Sequence, residues 1–146
     1  MGTRRNARER ALQILFQLEF DDTPPDLIFP QYWQDKDVTE DERLHCERLV
    51  EGIALNSTRI DDIIQSVSQN WRVSRMVLVD RNILRIATYE LFWGEKLAPG
   101  IVINEAIEIA KKFSGEQSAT FVNGILDAVH RRSDEILKAL KEEDRE

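Results

Sequence analysis

A chain of 146 residues, 42% apolar and 32% charged, is sized and composed as one globular domain that needs no disulfide or metal to hold it. No run approaches the roughly 20 apolar residues of a membrane span, and the N-terminal MGTRRNARER has no apolar stretch behind its charges, so neither a membrane nor a secreted protein is expected. The single cysteine, Cys46, forbids an internal disulfide and points to the cytoplasm, and a net charge of −7 argues against binding nucleic acid by bulk charge.

Helical periodicity dominates the chain in order. An arginine-rich start leads into a helix marked by Ala11, Leu12, Leu15 and Phe16, which DDTPPD ends. Leu27, Ile28, Tyr32 and Trp33 suggest a short, irregular helix. Thr39 and Glu42 have the spacing of a capping box, opening a helix whose buried stripe is Cys46, Leu49, Val50 and Ile53. NSTRIDD reads as a stop and a new cap, followed by Ile60, Ile63, Ile64, Val67 and Trp71 on one face. Ser74 is placed to cap a segment in which Ile83, Ile86, Ala87 and Glu90 share a face; Gly94 ends it and LAPG connects onward. Ile103, Ala106, Ile107 and Ala110 form the next stripe, SGEQS interrupts, and a last helix carries Phe121 through Val129 and on to Leu140. No convincing alternating strand appears. The expected fold is all-α, one domain over residues 1–146 with about seven helices, a basic arm at about 1–10 and a tail at about 141–146 that frays.

Catalytic patterns are missing. Neither nucleotide-binding glycine loop occurs, and His45 and His130 each lack a second ligand at helical spacing, so no metal or cofactor is expected and the chain does not read as an enzyme. Cys46 lies on an apolar face and reads as a buried small hydrophobe. Glu105 and Glu108 could suggest acid–base chemistry, but Glu108 and Lys112 have the spacing of an ordinary surface ion pair.

Charge is segregated. Residues 1–12 hold Arg4, Arg5, Arg8 and Arg10 against Glu9 alone, whereas residues 134–146 hold six acids against three bases. Cations at a helix start oppose the macrodipole, and an arginine-rich arm ordered by phosphates is a mode of RNA binding. A second basic element is AKKFSGEQSATFVNG, residues 110–124. Lys111 and Lys112 suit a C-terminal turn, Ser118 could cap the following helix, and the free amides there would suit a phosphate. Phe113 and Phe121 are more often core than stacking platforms.

Three blocks resemble the NusB family of bacterial transcription antitermination factors: RRNARERALQILFQLEF (4–20), VDRNILRIATYEL (79–91) and VINEAIEIAKKFSGEQSATFVNGILD (102–127). Residues 21–75 match only in length and helical character. The resemblance implies two small helical bundles packed together, no catalysis, pairing with the ribosomal protein NusE, and binding of boxA RNA in an RNA polymerase antitermination complex with other Nus factors. By position it implies RNA contacts from Arg4, Arg5, Arg8, Lys111, Lys112, Gln117, Ser118 and Phe121, and NusE contacts from Phe16, Phe20 and Asp80. The chain departs from the family where tyrosine is common at 16, an acid at 117 and glutamate at 80.

Two other readings stand beside this one. The RNA-binding domain of a ribosomal RNA cytosine methyltransferase shares the fold, but its separate cofactor domain does not fit in 146 residues without a nucleotide loop. A helical protein–protein adaptor would use the arginines only to solvate a terminus. A homodimer that hides the arginine face is open on sequence grounds.

Overall fold

Prolines, caps and one glycine turn cut the chain into helices much as the periodicity suggests. The computed structural model describes residues 2–145. Among them the helices are α1 (Gly2–Leu18), α2 (Pro25–Trp33), α3 (Glu40–Leu55), α4 (Ser57–Val67), α5 (Leu78–Phe92), α6 (Pro99–Phe113), α7 (Glu116–Arg131) and α8 (Ser133–Arg145), with a single 3-10 turn at Val73–Arg75 before α5. Pro25 and Pro99 sit in the first turns of α2 and α6, where a missing N–H costs nothing.

Several local expectations change. Thr39 accepts the Glu42 amide at 3.2 Å, but Glu42 turns its carboxylate to Arg10, so the capping box is half formed. Ser74 falls within the 3-10 turn and caps nothing; α5 begins after Val77. The expected last helix is two, because Ser133 donates to the His130 carbonyl at 2.6 Å and Asp134 and Glu135 then open α8 with acids at its positive end. The stretch 141–145, expected to fray, is helical, and Arg59 reaches both Glu143 and Asp144 at 3.0 Å.

α5 organises the packing. It contacts α1, α3, α4, α6 and α7, and one apolar core runs through the helices packed around it. That is why α5 buries Asn82, Thr88 and Glu90 along with Ile83, Leu84 and Ile86. α3 comes close to α5 at Gly52, where an added Cβ would lie 2.3 Å from the Tyr89 ring. Cys46 is fully buried, and burial pushes its thiol up to about 12. No helix among the described residues is long and apolar enough to cross a membrane.

Candidate nucleic-acid interface

α1 opens with cations at its positive end, each costing about 0.3–1 kcal/mol. The fold supplies compensating carboxylates from distant segments. Arg8, only 4% exposed, donates from Nε and Nη2 to the two Glu90 oxygens at 2.7 and 2.8 Å, and from Nη1 to Glu105 at 3.2 Å. Burial opposes its charge, but the Glu90 bonds more than offset this and its pKa is raised. Arg5 meets Glu105 through both Nε, at 3.1 Å, and Nη2. Those bonds hold the Glu105 carboxyl below the usual glutamate value despite burial. Arg4 lies 3.1 Å from Glu95 and donates to His45 Nδ1 at 2.6 Å.

The arm is therefore held by carboxylates from α5, α6 and the segment between them. Arg4 and Arg5 keep partial exposure, but Arg8 is buried with every nitrogen bonded to a carboxylate, which ties α1 to α5 and α6. One signal for this was in the sequence: Glu90 sits on an apolar stripe, and a carboxylate buried there requires a cation.

The α6–α7 turn lies beside the arm. Lys112, spaced to pair with Glu108, instead donates to Glu9 of α1 at 2.8 Å, while Lys111 takes Glu108 at 3.7 Å. The reason is tertiary: α1 brings a carboxylate within reach of the end of α6. Ser118 is not the cap of α7. It lies in the first turn and donates to Ser114 at 2.7 Å, while Gly115 occupies the cap position with a φ of 110° that favours glycine. No side chain caps the α7 start, so its first amides keep donor capacity. Lys111, Lys112 and Gln117 are exposed around it.

A second surface is aromatic. Phe16 and the 72%-exposed Phe20 meet edge-on at 5.5 Å at the end of α1. Asp80 is buried, yet its Oδ1 has no hydrogen-bond partner among the described residues. It lines a cavity of about 170 Å³ with Trp71, Arg75, Val77 and Phe121. Phe121 packs half-buried against the core and meets the exposed Trp71 edge-on, with ring centroids 6.3 Å apart. Trp71, expected on the same helical face as Ile60 to Val67, lies beyond the end of α4 and is a surface aromatic. No metal-ligand cluster occurs among the described residues.

Comparison with known proteins gives a consistent picture. The model of the NusB family matches residues 5–131. The transcription antitermination protein NusB of Desulfotalea psychrophila is 42% identical, over 88% of this chain and 96% of its own length. T. maritima NusB superposes with a TM-score of 0.78 at 37% identity, covering 88% of this chain and 90% of that one. NusB in a crystal structure with NusE and dsRNA superposes with a TM-score of 0.80 at 27% identity, covering 90% and 98%.

Proposed function

Because this chain belongs to the NusB family, we propose that it is a non-catalytic transcription antitermination factor. In this reading it binds boxA-type single-stranded RNA as a heterodimer with NusE and joins an RNA polymerase antitermination complex with other Nus factors. The observation that carries the RNA reading is the Lys112–Glu9 bond, which sets the α6–α7 turn against the arginine arm and makes one basic surface of two segments about 100 residues apart. Arg4, Arg5, Lys111 and Lys112 are its exchangeable cations. Their carboxylate partners are at least partly solvated, and such pairs contribute only about 0–1 kcal/mol, so a phosphate can displace or join them. Gln117, Ser118 and the α7 amides offer uncharged hydrogen bonds, and Phe121 with Trp71 offers stacking surface for unpaired bases.

The NusE surface in this reading is Phe16, Phe20 and Asp80. A buried carboxylate with an unpartnered Oδ1 suits a basic side chain, the exposed Phe16–Phe20 pair suits an apolar one, and the net charge of −7 would steer a basic partner toward the chain. A similar solved protein, NusB, occurs in complex with NusE and RNA.

One observation favours the adaptor reading: Arg4, Arg5, Arg8 and Arg10 all have acidic partners already. A mobility-shift titration with boxA and scrambled RNA, with and without NusE, separates the two. Four exchangeable cations predict a slope of log affinity against log salt of roughly −3. A flat salt response with no boxA preference leaves the adaptor.

A further inference from the structure

On the other side of the arm lies a cavity of about 180 Å³ between α3 and the end of α5. Its walls include His45 and Arg48 from α3, Tyr89 and Trp93 from α5 and its end, and Glu95 beyond. The Tyr89 and Trp93 rings are within 7° of parallel, with centroids 6.2 Å apart. Arg4 connects the cavity to the basic surface, since it binds both His45 and Glu95 while Arg5 reaches Glu105.

Three groups in this lining have unmet capacity. Arg4 can only donate, so His45 Nδ1 is the acceptor and the proton of the neutral ring sits on Nε2. That buried Nε2–H finds no acceptor among the described residues. Arg48 is exposed and forms no ion pair among the described residues, whereas Glu90 is held by Arg8 and Glu95 by Arg4. The parallel aromatic pair is half-exposed. The unspent chemistry is thus one donor, one cation and an aromatic face. A cationic ligand is disfavoured, because both carboxylates are already neutralised. Pockets for whole small-molecule ligands run to roughly 300–1,000 Å³, so this one suits a single ring system.

We propose that this cavity is a subsite for one unpaired nucleotide of the bound RNA, its base against Tyr89 and Trp93 and its phosphate on Arg48. This rests on the RNA reading above and extends the RNA path past Arg4. Base–aromatic contacts are sequence-tolerant and their loss reads as roughly a tenfold drop in affinity.

The test uses the full chain with NusE and boxA-containing RNAs carrying 2-aminopurine at one position at a time. One position is expected to be quenched on binding. Trp93→Leu should abolish that quenching and weaken binding about tenfold, Trp93→Phe should largely restore affinity, and thermal melts establish that each variant is folded. Arg48→Ala should weaken binding and lower the salt slope by about 0.7. If no position responds to Trp93→Leu and affinity is unchanged while Lys111→Ala weakens binding, the subsite is wrong and the RNA reading stands. If Lys111→Ala and Arg5→Ala are also silent, the RNA reading falls and the subsite with it. Quenching of Trp93 by free nucleoside monophosphates but not by RNA would equally overturn the proposal.

Discussion

Glu90→Gln removes the charge that holds Arg8 inside the protein. Arg8 is 4% exposed and Glu90 is 7% exposed, with two bonds at 2.7 and 2.8 Å between them. Breaking a buried pair from one side leaves an uncompensated charge and costs about 3–5 kcal/mol. Glu105 still faces Arg8 Nη1 at 3.2 Å, which places the loss near the lower end, about 3 kcal/mol. For a domain of this size that lowers the Tm by roughly 6–12 °C. Circular dichroism melts measure it directly.

The double variant Arg8→Met/Glu90→Leu should recover much of the loss, since well-packed apolar replacements of buried pairs are often neutral. That variant also separates anchor from contact. If Arg8 only anchors α1, the double variant keeps wild-type RNA affinity and salt slope. If Arg8 touches a phosphate, the slope falls by about 0.7. A Glu90→Gln melt within about 1–2 °C of wild type would show that the pair is not structural and refute the anchor.

Three further outcomes follow from the geometry. Asp80→Asn keeps the shape of the buried side chain but removes its charge, so NusE should bind about tenfold more weakly by calorimetry; an unchanged Kd would remove Asp80 from the interface. Gly52→Ala places a methyl 2.3 Å from the Tyr89 ring and should cost about 1–3 kcal/mol, partly recovered when Tyr89→Ala is added, as read by urea unfolding. Stability should fall in two steps on acidification. Burial, aided by Arg4, lowers the His45 pKa below 6.5, so its contribution is full above pH 6.5 and is lost as pH falls toward the folded value. Glu19 is raised by burial but lowered further by hydrogen bonds from Arg81 and Asn82 and by the Arg85 charge, so its contribution is present above pH 4.5 and is lost as pH falls through its lowered value. His45→Gln should flatten the first step and Glu19→Gln the second in urea midpoints taken across pH.

Where side-chain spacing along one helix decided the outcome, the sequence was sufficient. Ile60, Ile63 and Ile64 on α4 are buried as their period requires, and Thr39 caps α3. Where partners come from other helices, local rules misled. Lys112 has a carboxylate one turn back on its own helix, yet Glu9 wins. Glu42 has a local role in the capping box, yet Arg10 draws its carboxylate away. The arm shows the same effect most strongly. The four arginines at a positive helix end read as unpaired from the sequence, because their compensating carboxylates at 42, 90, 95 and 105 lie far along the chain. The split between α7 and α8 is a different case: Ser133, Asp134 and Glu135 are a legible helix start, hidden by apolar spacing that runs on through Ile136.

Burial divides the basic residues into two functional kinds. Arg8 cannot leave Glu90 without stranding a charge in the core, which opposes its release to a ligand. Lys112 and Lys111 are themselves exposed, and their pairs with the partly buried Glu9 and Glu108 contribute little, so in the proposed function a phosphate would compete for them at little cost. Arg5 stands between, partly exposed and held by a half-buried Glu105 that also contacts Arg8. This ordering lets an acidic protein present a basic surface. The buried pair fixes the pitch and rotation of α1, and the rotation decides that Arg4, Arg5 and Glu9 face outward beside the α6–α7 turn. Adding surface lysines elsewhere would raise net charge without adding this alignment. Restoring Arg4, Arg5, Lys111 and Lys112 to a neutralised surface should therefore recover RNA binding more fully when Arg8 and Glu90 are intact than when α1 is unanchored.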